Sequence, residues 1–104
     1  MRSEVLKGHV DLLLLATLRR GPLHGYGIVE ALRVASAGAF DLAEGTVYPA
    51  LYRLERARLL TSRWTKLGGR RRRVYSLTQR GRAELARERS DWHAFALAVE
   101  TVVA

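Results

Sequence analysis

The chain is organised around one amphipathic segment, Glu44-Gly45-Thr46-Val47-Tyr48-Pro49-Ala50-Leu51-Tyr52-Arg53-Leu54-Glu55-Arg56. Its residues Val47, Leu51 and Leu54 recur at helical spacing, which places them on one buried face. The opposite face carries hydroxyl, guanidinium and proline side chains at Thr46, Tyr48, Pro49, Tyr52, Arg53 and Arg56. Hydroxyls and guanidiniums bind the phosphates and base edges of a duplex. We therefore interpret the segment as a DNA recognition helix.

A proline sets where this helix is expected to begin. Pro49 has no backbone N–H, so it suits a first helical turn, whose N–H groups have no intrahelical acceptor. Thr46 is then the expected N-cap, Glu44-Gly45 leads in, and the helix runs from Val47 to Arg58. A helix predicted from His24 to Ser36 precedes it, and the two form a helix-turn-helix.

The composition excludes several classes of protein. The chain has 104 residues, enough for one compact domain, and it contains no cysteine, which rules out disulfides and thiolate metal sites. The three histidines, His9, His24 and His93, have no metal-ligand spacing, and no nucleophile–base set is suggested. We predict no metal, no cofactor and no catalytic residue, and hence that the protein is not an enzyme.

The hydropathy pattern gives an expected location. Residues 1–8 contain an acid and a lysine, so we do not expect them to form a signal peptide. The longest apolar run, Leu12 to Ala16, is far shorter than the roughly 20 residues of a membrane span. We expect no membrane contact and a cytoplasmic protein.

The positive charge is concentrated in one block. The net charge is +8, but residues 53–82 hold eleven basic residues and one acidic residue, a net +10, while the rest of the chain sums to −2. Basic residues that only keep a surface solvated would not be expected to concentrate in one block of the chain. The block favours a polyanionic partner, with nucleic acid ahead of a membrane surface.

Two glycines open the second predicted helix, after a first helix that runs from about Val10 and stops at Arg19-Arg20-Gly21-Pro22. Gly25 and Gly27 each cost roughly 1 kcal/mol of helix propensity relative to alanine. Two explanations stay open: a phosphate near the helix start, or close packing against the first helix.

A basic hairpin follows the recognition helix. Residues 60–65 and 72–77 alternate like strands, and residues 66–70 contain a Gly-Gly turn. Four arginines, Arg70, Arg71, Arg72 and Arg73, are expected at and beyond the tip, projecting toward a flanking groove or phosphate track. A hairpin after a recognition helix is typical of a winged helix-turn-helix, so the predicted class is α+β, mostly α.

The last segment predicts a helix capped by Thr78 and running from Gln79 to about Val103, with Gly81 an early weak point. A heptad-like apolar seam lies along it at Leu85, Trp92, Phe95, Val99 and Val102. We expect this seam to pair with a second copy in a two-fold homodimer. The predicted organisation is a DNA-binding domain at residues 1–78 and a dimerisation helix at residues 79–104.

The chain resembles the PadR family of transcriptional regulators. The resemblance is carried by Gly21-Pro22-Leu23-His24-Gly25-Tyr26 and Gly45-Thr46-Val47-Tyr48-Pro49-Ala50-Leu51-Tyr52-Arg53-Leu54-Glu55. It continues through Leu59-Leu60, Arg73-Val74-Tyr75-Ser76-Leu77-Thr78, Gly81 and the tryptophan of the closing helix. These motifs span nearly the whole chain in the family's order. Ala43 departs from the pattern, because many members have a cap-forming serine there.

The resemblance implies a compact, dimeric winged-helix repressor. It implies that Thr46, Tyr48 and Pro49 face the major groove, that His24 and Tyr26 lie near phosphates, and that the wing arginines lie at the flanking groove. In some compact members, a tryptophan equivalent to Trp92 lines an apolar pore that stacks flat molecules. A two-fold dimer is expected to bind an inverted repeat with half-sites about 10 bp, or a multiple, apart.

Alternatives remain at several positions. Tyr48 and Tyr52 either contact DNA or pack against the core and the wing, and Trp64 is expected to pack. Trp92 is either a dimer-core aromatic or a ligand platform. Two other functions therefore stay open: a small-molecule sensor with its site near Trp92, and a winged-helix module that docks an acidic protein.

Overall fold

The computed structural model describes Leu6 and residues 8–104, except for the side chain of Leu67. The expectation about a signal peptide falls largely outside the described residues. The elements are α1 (Val10–Thr17) continued by a 3-10 turn (Leu18–Arg20), β1 (Leu23–His24), α2 (Gly25–Ala35), α3 (Glu44–Arg56), β2 (Leu60–Leu67), β3 (Arg70–Leu77) and α4 (Gln79–Val103). The predicted class, α+β and mostly α, is confirmed. None of the described helices has the length and hydropathy that crossing a bilayer requires.

The core forms where α1, α2, α3 and the hairpin meet. The predicted inner face of α3 is confirmed, since Val47 and Leu51 have no exposed surface and Leu54 has almost none. These side chains belong to one cluster with Leu14, Leu15, Leu18, Ile28, Leu32, Leu60, Tyr75 and Leu77. Burying a leucine or valine fully contributes roughly 1.5–3 kcal/mol, so this cluster holds the recognition helix to the rest of the chain.

Helix α3 begins three residues before the predicted start. Its N-cap is Ala43, which makes no side-chain capping bond, and the N–H of Thr46 donates to the Ala43 carbonyl at 2.9 Å. The predictions of Thr46 as N-cap and of Pro49 in the first turn are therefore wrong. Pro49 lies in the second turn, where it removes the bond to the Gly45 carbonyl. The helix accommodates it because Gly45 is exposed, which leaves that carbonyl to water.

The same helix ends two residues before the predicted Arg58. Arg58 has a φ of 65°, and the N–H of Leu59 donates to the Leu54 carbonyl at 3.0 Å while that of Arg58 donates to the Glu55 carbonyl at 2.9 Å. This is the Schellman arrangement, in which a left-handed residue closes a helix. Arg58 therefore lies just beyond α3 and ends the helix. It is not part of the last helical turn.

The hairpin is tighter than predicted. Gly68 and Gly69 have φ of 60° and 78° and form a two-residue turn, so the strands extend to Leu67 and Arg70. A two-residue hairpin turn of type I′ requires positive φ at both positions. The register pairs Leu60 with Leu77. The sheet order is β1-β3-β2, and β1, which is only two residues long, was not predicted.

Helix α4 starts as predicted and then leaves the core. The Thr78 hydroxyl accepts the N–H of Gly81 at 2.9 Å, so the predicted cap is confirmed. Gly81 is no weak point: a Cβ there would overlap the carbonyl oxygen of Leu59, so only glycine fits. The carboxyl-terminal half of α4 extends into solvent and gives the molecule a long axis of 52 Å.

Candidate nucleic-acid interface

The outer face of α3 presents all six side chains predicted for it. Thr46, Tyr48, Pro49, Tyr52, Arg53 and Arg56 are exposed. At the end of the helix, Nη1 of Arg56 donates to the Tyr52 hydroxyl at 3.2 Å, and its guanidinium lies 5.8 Å from the centre of the Tyr52 ring. The result is a polar surface on which Arg56, a cation without a carboxylate partner among the described residues, lies beside the phenol of Tyr52. Their contact with DNA stays a prediction.

Tyr48 explains one of the two glycines of α2. A Cβ at Gly25 would overlap the Tyr48 ring, so this glycine lets α3 pack against the start of α2. Of the two explanations left open by the sequence, close packing is the one observed for Gly25, with α3 rather than α1 as the neighbour. Tyr26 is exposed and His24 is half-buried, with ring centres 6.3 Å apart, so both predicted phosphate-binding residues lie where α2 begins.

Arg53 has a partner that the sequence did not reveal. Its Nη1 and Nη2 donate to Oδ2 and Oδ1 of Asp11 on α1, at 2.7 Å and 2.8 Å. This paired geometry raises the pKa of Arg53, chiefly through the hydrogen bond. The pair is largely exposed, so it contributes at most about 1 kcal/mol to stability. If Arg53 binds a phosphate, as predicted, that phosphate has to displace Asp11 from this guanidinium.

We expect Asp11→Asn to strengthen binding to any duplex about two- to fivefold at low salt. The change releases Arg53 and removes one repelling charge, and both effects are reduced by added salt. Titration of a labelled duplex, followed by fluorescence anisotropy, measures the effect.

Glu30→Gln is the matched control for the Asp11 variant. Glu30 is a surface carboxylate paired with Arg33 on α2, at 3.0 Å, so its loss changes the net charge equally without releasing Arg53. Equal affinity gains in the two variants would show that charge alone matters and that Asp11 does not restrain Arg53.

The four wing arginines are not equivalent. They lie in β3 rather than at the hairpin tip, so their side chains alternate between the two faces of the sheet. Arg70 and Arg71 are exposed, whereas Arg72 is half-buried and its Nε has no hydrogen-bond partner in the described part of the chain. The prediction that all four project into solvent from the tip is therefore wrong for Arg72.

Arg73 joins the wing to the recognition helix. Its Nε donates to Oγ of Ser62 at 2.8 Å, and the Ser62 hydroxyl donates to Oε2 of Glu55 at 2.7 Å. Nη2 of Arg73 also lies 3.5 Å from the Glu55 carboxylate. Because Glu55 belongs to α3, this chain of bonds links the wing to the helix. Arg73 is thus held by protein partners, and Arg70 and Arg71 are the freer cations.

Sequence reasoning missed Asp11, Glu55 and Ser62, which hold the predicted contacts in place. It expected Trp64 to pack, and this is wrong for the core, because Trp64 is exposed. If the turn had been predicted as the two residues Gly68-Gly69, the strand register would have followed from it. That register places Trp64 opposite Arg73 and Ser62 opposite Tyr75. No comparable local signal exists for Asp11, which lies 42 positions from Arg53.

A second surface lies between α1 and α4. An apolar groove of about 460 Å³ is lined by Leu6, His9, Leu12, Leu13, Phe40, Trp92 and Phe95. The His9 ring meets Trp92 edge-on, with ring centres 5.3 Å apart. Of the predicted dimer seam, Trp92, Phe95, Val99 and Val102 are exposed, while Leu85 packs against the core of its own chain. We therefore leave Leu85 out of the exposed seam.

Glu88 lies beside this groove in an unfavourable environment. Burial, the neighbouring Glu84 and the Asp11 carboxylate on α1 raise its pKa to about 7, against a smaller lowering by Arg87. A carboxyl with a raised pKa in the folded state destabilises that state once it ionises. Stability should therefore fall as pH rises from about 4.5 to about 7.

We expect Glu88→Gln to stabilise the protein by about 1 kcal/mol near pH 8 and to have little effect near pH 4.5, because the glutamine mimics the protonated carboxyl. Thermal unfolding at the two pH values, at one protein concentration, measures it. Glu100→Gln, at an exposed position of the same helix, is the control. A pH-independent gain for Glu88→Gln would contradict the expectation.

Comparison of the sequence with protein families and with known proteins gives transcriptional regulators. Residues 14–87 match the transcriptional regulator PadR-like family. The chain is 36% identical over 86 residues to the transcriptional regulator Rv3488 of Mycobacterium tuberculosis, covering 83% of this chain and 78% of that protein.

Solved structures give the same result. A transcriptional regulator from Clostridium thermocellum superposes with a TM-score of 0.90 at 26% identity, covering 100% of this chain and 99% of that one. A PadR family transcriptional regulator from Eggerthella lenta has a TM-score of 0.83 at 31% identity, covering 97% and 87%. The similarity therefore includes the wing and the closing helix.

Proposed function

The chain belongs to the transcriptional regulator PadR-like family, whose members are DNA-binding regulators rather than enzymes, and from that premise we propose that it is a sequence-specific repressor acting as a homodimer on an inverted-repeat operator. One observation carries the proposal: the exposed polar face of α3 and the basic wing are joined through Glu55, Ser62 and Arg73 into one oriented surface.

The two parts of this surface have different roles in the proposal. Thr46, Tyr48 and Pro49 stand at the exposed start of α3, where they enter the major groove and select the sequence. Arg56 and the wing arginines Arg70 and Arg71 bind phosphates and supply most of the affinity. Tyr26 and His24 add backbone contacts beside the helix.

Dimerisation is proposed through α4. Its carboxyl-terminal half exposes Trp92, Phe95, Val99 and Val102 along one seam. Exposing so many large apolar side chains along one helix is unfavourable for an isolated chain, and a second copy supplies the complementary seam. The two recognition helices then face successive major grooves of one duplex, which gives the inverted repeat.

Selection of bound sequences from a random DNA pool tests the proposal. We expect an inverted repeat, and we expect Thr46→Ala to change the preferred bases while retaining binding to unrelated DNA. Footprinting on a selected duplex should protect both half-sites. If no sequence is enriched, or if the enriched sites lack two-fold symmetry, the specific, dimeric mode is wrong. Binding to an acidic protein without any DNA binding at low salt would instead favour the protein-docking module.

A ligand-sensing role is a second candidate, supported by the apolar groove beside Trp92. Glu88 and Asp91 line the adjoining part of the groove, which suits a flat, cationic aromatic molecule. Such a ligand should quench tryptophan fluorescence in Trp64→Phe and fail to do so in Trp92→Phe. Quenching that survives in Trp92→Phe would place the ligand elsewhere.

A further inference from the structure

Trp64 is an aromatic residue that the core does not use. It lies in β2, and 56% of its surface is exposed. Its neighbours are cations: the guanidinium carbons of Arg71 and Arg73 lie 4.9 Å and 5.7 Å from its ring centre. An indole next to two guanidiniums attracts them through its ring quadrupole. The exposed ring and the two cations form one flat, positively charged surface, which we call the Trp64 face.

Arg73 is the member of the Trp64 face that the contacts described above hold in place. Trp64 lies directly opposite Arg73 in the strand register, and Arg73 is bound by Ser62 and Glu55. Ser62 and Trp64 are two residues apart on one strand, so their side chains share a face of the sheet. A side chain held in this way loses little conformational entropy when it binds a ligand.

This face continues the tyrosine side of the recognition helix. Tyr48, Tyr52 and Glu55 are spaced at i, i+4 and i+7 on α3, so they form one stripe. Glu55 is the residue of that stripe that meets the wing. A duplex that contacts Tyr52 therefore lies along the side of the protein where Trp64 is exposed.

We propose that Trp64 contacts duplex DNA directly, its indole lying against the sugars and base edges of the groove next to the one that α3 enters. This inference rests on the proposed function. Charge complementarity favours DNA as the occupant, since Lys66, Arg71 and Arg73 share the face with Trp64 and residues 53–82 carry a net +10. Minor-groove-binding proteins likewise combine apolar side chains with arginines and lysines at the groove.

The chain contains two tryptophans, so Trp92→Phe leaves Trp64 as the single indole. We expect a bound duplex to change the emission of this variant and to shield Trp64 from quenching by acrylamide. Anisotropy of the labelled duplex, read from the same samples, reports binding independently. Trp64→Phe, which retains Trp92, is the control and should show no shielding upon binding. Trp64→Ala should weaken binding about tenfold, because the apolar ring surface buried against the duplex is lost, and Trp64→Phe should weaken it less.

The outcomes separate the two claims. If the duplex binds while acrylamide quenches Trp64 as strongly as before, Trp64 only braces the wing and the inference is overturned, whereas the proposed function stands. If the unsubstituted chain binds no duplex at low salt, both fail. Trp92 lies in the proposed dimer seam, so Trp92→Phe can lose its fold by circular dichroism or its binding to the duplex by anisotropy. In either case fluorine NMR of the unsubstituted, 5-fluorotryptophan-labelled chain replaces it, with Trp64→Phe assigning the resonance that must shift upon DNA binding.

Discussion

Gly81→Ala is expected to lower the free energy of unfolding by about 3 kcal/mol. A Cβ at this position would overlap the carbonyl oxygen of Leu59, which is backbone and cannot rotate away. That carbonyl also accepts the N–H of Thr78 at 3.1 Å, so moving it disturbs the cap of α4. Urea denaturation followed by circular dichroism, at one protein concentration, measures the loss.

Gly45→Ala is the matched control for this variant. Gly45 also lies in a helix, but among the described residues no atom outside its chain neighbours and the surrounding helix backbone lies within 4 Å of its Cβ position. The substitution should stabilise the protein by up to about 1 kcal/mol, because alanine has the higher helix propensity. Similar effects at both positions would mean that the approach of α4 to Leu59 does not require glycine.

Replacement of Arg70, Arg71, Arg72 and Arg73 by alanine is expected to weaken binding to every duplex by at least about a hundredfold. The plot of log affinity against log salt should become shallower by roughly 0.9 for each phosphate that the variant no longer neutralises. Affinities for the selected operator and for a random duplex should fall together, because phosphates carry no sequence information.

A double variant tests the contribution of Arg70 and Arg71 alone. Arg70 and Arg71 have no protein carboxylate as partner among the described residues, so changing both to alanine should account for about two phosphates. Arg87→Ala with Arg89→Ala on α4 changes the net charge equally and should leave the salt slope nearly unchanged. If the two double variants behave alike, the wing contributes only through the overall charge of the protein.

The structure also shows how the recognition helix is held at both of its sides. Arg53 ties one side of α3 to Asp11 of α1, and Glu55 ties the other side to Ser62 and Arg73 of the wing. Asp11 additionally acts on Glu88 of α4 through its charge. The proposed recognition helix is therefore connected to the hairpin and to the helix that carries the proposed dimer seam.

Features with a local cause were predicted well. The apolar spacing of Val47, Leu51 and Leu54 identified the buried face of α3, and the Thr78 cap identified the start of α4. The exceptions also have physical reasons. Thr46 has good capping chemistry, yet α3 begins at Glu44 without a capping side chain. The N–H groups of Thr46 and Val47 both donate to the Ala43 carbonyl, at 2.9 Å and 3.1 Å, and the acidic Glu44 in the first turn is favoured by the helix dipole.

The sequence by itself determined the class of fold, the polar face of α3 and the concentration of charge, because these depend on periodicity and composition within short segments. Only the tertiary structure decided which cations are available. Arg53 is occupied by a carboxylate 42 positions away, and Arg73 by groups on β2 and α3. Such pairings depend on strand register and helix packing, and neighbouring residues in the sequence do not encode them.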